Sequence, residues 1–243
     1  MIGRALRAQA RSAAGDVVLL GMALAAFVLS LSLATSIPAE LGDAPREARE
    51  GLVAPFDAVL ATYAGILAAV YGSFRYTIDR RDGVVAQRLM LESRWAMLVV
   101  RMPASALGGA VVAVAAVLGG RAALFVTMGG IPVHPSAVMA ALALGAAAAL
   151  WGLGVGIVVQ AHLAALFVTA FSMGVGLLVA MFWSAGAVYL PLPALLDAFR
   201  FDGSAIGIPA GGGLGLLAAP IAAGWILLAV GAGSAVFLRR DVT

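Results

Sequence analysis

Residues 122–196 read AALFVTMGGIPVHPSAVMAALALGAAAALWGLGVGIVVQAHLAALFVTAFSMGVGLLVAMFWSAGAVYLPLPALL, and not one of them carries a formal charge. A soluble domain has about one charged residue in four, so a run of this length belongs out of water. It is also longer than the roughly 20 residues that cross a bilayer once. Two turn signals divide it, Gly129-Gly130-Ile131-Pro132 and Gln160-Ala161-His162. The spacing predicts two helices, over about 136–159 and 163–185.

Working outward, residues between Asp16 and Glu40 are uncharged, which predicts a first span over 17–36. That span exceeds the apolar core of a cleavable signal, about 7 to 15 residues, although Ala34-Thr35-Ser36 has the small side chains of a cleavage site. The later spans favour a retained anchor, and Met1 is read as part of the mature protein. Further spans are predicted over about 58–74, 103–119 and 214–238. The whole composition agrees, at 63% hydrophobic and 11% charged. The expected fold is an all-α membrane protein with about six transmembrane helices in one domain over 17–243. Residues 1–16 precede it with Arg4, Arg7 and Arg11 on one helical face and Ile2, Leu6 and Ala13 toward the other. That pattern reads as an amphipathic interfacial helix or as a disordered basic leader.

Arginine positions set the orientation. Arg75, Arg80, Arg81, Arg88, Arg94 and Arg101 lie between the second and third spans, and Arg4, Arg7 and Arg11 precede the first. The loop 38–57 holds only Arg46 and Arg49, against Glu40, Asp43, Glu47, Glu50 and Asp57. Positive loops stay inside, so both termini are expected to be cytoplasmic, in agreement with the closing Arg239-Arg240. The segment 186–213, broken by Pro191, Pro193, Pro209 and Gly211-Gly212-Gly213, is then external. Within it, 195–201 reads either as a short interfacial helix with Phe199 and Phe201 at headgroup depth or as a polar re-entry loop.

Several chemistries are excluded. Without cysteine there is no disulfide framework, thiolate metal site or cysteine nucleophile. Without lysine there is no P-loop, so any ATP is handled by another chain. His134 and His162 form no H-E-x-x-H pair, no G-x-S-x-G elbow occurs, and neither a metal nor a catalytic site is expected. Gly152, Gly154 and Gly156 lie in an apolar span, where small residues serve close helix packing. No carboxylate falls in the middle of a predicted span, which disfavours an ion-coupled carrier. The arginines flank apolar spans and build no nucleic-acid face.

The inner loop, about 75–101, opens RYTIDRRDGVVAQRLMLESR over 75–94. Its charged entry, glycine and short apolar helix with Val85, Leu89 and Leu91 read as a docking surface or as a solvated basic loop. Here the chain resembles the permease subunits of the ABC-2 family of ABC transporters. Asp79-Arg80-Arg81-Asp82-Gly83-Val84 stands where that family has a glutamate-arginine-glutamate segment followed by glycine. Leu89-Met90-Leu91 follows, and Arg101 precedes Met102-Pro103. Two aspartates replace the family's glutamates.

The resemblance implies an exporter subunit of the prokaryotic plasma (inner) membrane. Such a subunit pairs with a second permease copy or a related one and with separate ABC ATPase subunits, which bind ATP and magnesium; this chain binds no cofactor. It further implies that Asp79, Arg80, Arg81, Asp82, Gly83, Arg88 and Leu89 contact the ATPase as a coupling helix. A substrate path is expected along the second and fifth spans, at Tyr63, Tyr71, Phe167, Phe171 and Met173, for a hydrophobic or amphipathic drug, lipid or natural product. Two other readings stay open, a haem-export or cytochrome-maturation permease and an ATP-independent membrane scaffold. Alkaline phosphatase, active only outside the inner membrane, is expected to be inactive when fused after Thr243 and active when fused at Asp43; the reverse pattern overturns the arginine-based orientation.

Overall fold

The computed structural model describes Gly3 and residues 15–37, 45–51, 53–129, 135–208 and 213–239. The predicted amphipathic helix over 1–16 therefore lies almost wholly outside the described residues, and His134, Arg240 and all of 38–44 lie outside them. Helices α1 (Val17–Ser32), α2 (Arg46–Gly51), α3 (Val53–Arg81), α4 (Val84–Leu89) and α5 (Arg94–Met128) come first. They are followed by α6 (Pro135–Val159), α7 (His162–Ala180), α8 (Ser184–Ala187), α9 (Pro191–Ala198) and α10 (Ala218–Arg239). Among the described residues, six helical segments are long and apolar enough to cross a membrane, Val17–Ser36, Pro55–Arg81, Arg94–Met128, Pro135–Val159, His162–Ala180 and Gly215–Arg239. The chain is a multi-pass integral membrane protein.

Helix α6 is the hub. It packs against α3, α5 and α10, while α3 also meets α5, α7 and α1, and α1 lies along α5. Its small residues make this possible, because lipid-immersed helices gain little from burying apolar side chains and associate through close van der Waals contact. A Cβ at Gly152 would overlap the Ala69 carbonyl oxygen on α3, and one at Gly154 would overlap that of Ala229 on α10. Gly145 on α6 and Gly109 on α5 face each other's carbonyl oxygens in the same way. The glycines of α6 thus serve three separate seams. Larger side chains fill what remains: Trp151 on α6 meets Trp225 on α10 edge to face, centroids 5.7 Å apart, and donates to Ser172 Oγ on α7 at 3.2 Å.

Two helices run further than their apolar residues predict. The second span continues through Arg81 and the third begins at Arg94, passing through Pro103, so the connection of about 75–101 contracts to 82–93. Arg75, Asp79 and Arg101 are helical as a result. They extend these helices because each has a charged partner on the bundle, as described below, and need not leave it to find water.

The segment 186–213 also differs from expectation. Its helix is α9, Pro191–Ala198, and not 195–201, and Leu192, Ala194, Leu195 and Leu196 on it are buried against α3, α7 and α10. Leu192 approaches Gly65 of α3 and Pro193 approaches Gly176 of α7. Trp225 Nε1 donates to the Tyr189 carbonyl oxygen at 2.7 Å and pins the chain before α9 to the side of α10. This is a re-entrant helix with a protein environment on several sides, which satisfies the rule that backbone leaving a span must be covered.

Contrasting glycines test the packing account. Gly152→Ala overpacks the α3–α6 seam and is expected to cost about 1–3 kcal/mol, whereas Gly174→Ala, with nothing within 4 Å of its added methyl, is expected to be neutral or to stabilise by up to about 1 kcal/mol. Thermal melts of both variants in one detergent check this, and equal melting temperatures would refute it.

Candidate functional site

The 82–93 connection stands at the end of the bundle where α1 starts and α10 finishes, since Arg75 reaches Asp16 and Arg94 Nη1 donates to the Leu238 carbonyl oxygen at 3.1 Å. Helix α3 stops because Gly83 adopts a left-handed conformation, φ +74°, and turns the chain back. Nothing crowds its missing Cβ, so backbone conformation alone favours glycine there. Helix α4 then runs for six residues. Val85 on it is fully buried among Tyr76, Met97, Leu98, Leu153, Ile157 and Phe237, with Leu89 half-buried at the edge of the same cluster. The chain turns through Met90 and Leu91, which are 86% and 85% exposed, and Ser93 caps α5 by accepting from Ala96 N at 3.3 Å.

The short helix therefore packs on α3 and α5, its Val85 joins a buried cluster that includes residues of α6 and α10, and it presents its C-terminal turn outward. Arg81 and Asp82 are exposed, and Arg80, Gly83, Arg88 and Leu89 are half-buried. Val85 faces the bundle, not a partner. The exposed apolar pair is Met90-Leu91, of which Met90 was not singled out by the sequence as a contact residue.

Asp79 is not on this surface. It is 4% exposed and its carboxylate takes Arg75 on one oxygen and Arg101 on the other. Arg75 Nε also donates to Asp16 Oδ2 at 2.7 Å, and Tyr71 Oη donates to the same oxygen at 3.3 Å. Asp16 meanwhile caps α1 by accepting from Leu19 N at 3.1 Å. The result is a chain Asp16–Arg75–Asp79–Arg101 running across α1, α3 and α5, with two carboxylates balancing two guanidinium groups. The Arg101 guanidinium carbon also lies 5.1 Å from the centroid of the Tyr76 ring, in cation–π range. A second pair, Arg121 Nη2 with both oxygens of Asp57 at 2.9 Å, joins α5 to α3 at the opposite end of the bundle.

The expected path residues separate. Tyr71 and Met173 are core residues, the first holding Asp16 and wedged against Gly108 of α5, the second fully buried. Tyr63 is 44% exposed, and Phe167 and Phe171 sit one turn apart on the outward face of α7. His162 stacks on Phe74 with centroids 4.3 Å apart and has Nδ1 3.4 Å from Thr77 Oγ1, joining α7 to α3. No cluster of side chains suited to a metal ion occurs among the described residues.

No protein-family model, curated protein or solved structure matches the chain.

Sequence periodicity did not reveal the ion network. Arg75 and Asp79 are visible as an i, i+4 pair on one helix, but Asp16 and Arg101 join them only through helix packing. Removing Asp79 leaves Arg75 and Arg101 facing each other without their shared counter-charge. Asp79→Ala is expected to cost roughly 3–5 kcal/mol, and adding Arg101→Met to it to restore part of that loss. Melting temperatures of the single and double variants check this; a double variant as unstable as the single one refutes charge compensation as the cause.

Proposed function

We propose that this protein is the membrane-spanning permease subunit of an ATP-driven exporter of the ABC-2 type, with its 82–93 connection docked on a separate ATPase subunit. The observation that carries the proposal is the short helix α4, packed on α3 and α5 with Val85 fully buried, while Met90-Leu91 and the charged Arg81 and Asp82 face outward. A protruding element with a rigid base transmits a push; a floppy loop absorbs it. The arginine distribution puts this connection and both termini on the cytoplasmic side, where a soluble ATPase is found. The absence of lysine supports a division of labour, because the phosphate-binding chemistry has to reside on the partner.

In this reading, ATP closes the partner dimer, the docked connection moves with it, and the bundle shifts between two arrangements with different access. Salt links at both ends tie α3 to α5, and α6 is locked to both through glycine contacts, so these three helices move as one body. Access then changes between this body and whatever abuts its periphery, in keeping with a second permease copy. The exposed faces carry aromatic and aliphatic side chains, Tyr63, Phe167 and Phe171 among them, and a hydrophobic or amphipathic cargo suits such a path. The membrane is the plasma (inner) membrane of a prokaryote.

The test is affinity isolation of tagged protein from native membranes, scored for a co-purifying ATPase. Wild type is compared with the double variant Met90→Asp/Leu91→Asp and with Arg81→Ala/Asp82→Ala. All four side chains are exposed, so both variants are expected to keep the wild-type melting temperature. Recovery of the ATPase with wild type and its loss with either folded variant is the expected outcome; a folded wild type that comes down without any ATPase overturns the proposal.

A further inference from the structure

At the end of the bundle opposite the 82–93 connection, the structure contains a cavity of about 360 Å³ above the re-entrant helix α9. Its construction starts with the way that helix ends. Arg200 takes a left-handed conformation, φ +62°, with Phe201 N donating to the Leu196 carbonyl oxygen and Arg200 N to that of Asp197, both at 2.9 Å. These two bonds form a Schellman cap. The reversal leaves Arg200 exposed and brings Phe201 and Asp202 round to the same cavity as Leu196 and Asp197. Asp202 Oδ1 accepts from Ser204 N at 2.9 Å, and Asp197 Oδ2 accepts from Leu214 N, which draws the start of the last span over the other side.

Each carboxylate thus uses one oxygen to hold the wall. Among the described residues, Asp197 Oδ1 and Asp202 Oδ2 have no hydrogen-bond donor and the lining includes no basic side chain. The rest of the lining is apolar, with Pro193, Leu196, Ile206 and the Phe201 ring. A volume of this size falls within the range of small-molecule sites, which are mostly apolar with a few placed polar groups. Two carboxylates beside an aromatic ring make the polar contribution cation-selective, since a ring face attracts a quaternary ammonium and the carboxylates add Coulomb attraction in a partly desolvated site.

We propose that this cavity binds a small organic cation with an apolar body, of the quaternary or tertiary ammonium class, with Asp197 at its half-buried wall and Asp202 at its exposed rim. The site is formed by this chain alone and does not rest on the ATP-driven reading. Binding therefore tests it without any partner.

Purified protein in zwitterionic nanodiscs is titrated calorimetrically with benzyltrimethylammonium, and with p-toluenesulfonate as an anion of similar size, after subtraction of empty nanodiscs. Wild type is expected to bind the cation saturably at one site and to give no saturable signal with the sulfonate. Asp197→Asn keeps an acceptor for Leu214 N, and Asp202→Asn keeps the turn at Ser204; they are expected to weaken cation binding by tenfold or more and by several-fold, respectively. Ile206→Trp, which fills the cavity without touching a charge, is expected to abolish binding. Should Asp197→Asn lower the melting temperature, Asp202→Asn and Ile206→Trp decide the matter. No saturable cation binding, equal binding of the sulfonate, or unchanged affinity in all variants that keep the wild-type melting temperature overturns the proposal.

Discussion

Backbone-to-backbone contact around α6 is the constraint on which the rest of the architecture depends. At Gly145, Gly152 and Gly154 the helix has no side chain to hold its neighbours off, and carbonyl oxygens of Ala69 and Ala229, with the facing Gly109, occupy the space. Dispersion falls steeply with distance, so a seam this close gains more per residue than one separated by leucines. In a bilayer, where lipid chains are as apolar as leucine, that difference decides which helices associate. Helix α6 therefore takes the centre, α3 and α5 flank it, and α1, α7 and α10 present their larger side chains outward, as at Leu20, Phe167 and Leu227.

Charge then completes what the small residues begin. A buried arginine among apolar side chains is costly, yet Arg75 and Arg101 are held at the bundle end because Asp79 lies between them and Asp16 closes the far side. The four named groups sum to zero formal charge and reach three helices, which lets α3 and α5 extend beyond their apolar stretches with their charges paired. The Arg121–Asp57 pair does the same at the other end. These links and the glycine seams hold the base on which α4 is mounted. The outward turn of the 82–93 connection is accordingly presented by a packed frame, as the proposed docking on an ATPase subunit requires.

The two ends of the molecule are built on different chemistry. At one, arginines dominate, a short amphipathic helix is fastened down by Val85, and the exposed surface is Met90, Leu91, Arg81 and Asp82. At the other, a re-entrant helix returns into the bundle and two aspartates, each bonded to a backbone N–H, border an apolar cavity. The proposed docking turn and the proposed cation cavity thus lie at opposite ends of the bundle, with the α3–α5–α6 body between them.

What the sequence determined by itself was the solvent and the number of crossings. Charge-free runs such as 122–196 are read directly from composition, and six helices of the right length stand close to the predicted positions, because hydrocarbon admits few alternatives to an apolar helix. The glycine string as a packing feature was also legible, since glycine in a span has few other uses. Hydropathy placed Arg75, Asp79 and Arg101 in a loop, on the ground that charge ends a span; only tertiary structure supplied the counter-charges that keep them in helices. It likewise made Tyr71 and Met173 core residues, turned Val85 inward and Met90 outward, and folded Pro191–Ala198 back into the bundle. The physical reason is the same throughout: transfer from water to lipid is a property of each segment and can be summed along the chain, whereas which face is covered and which charge finds a partner depend on helices far apart in sequence.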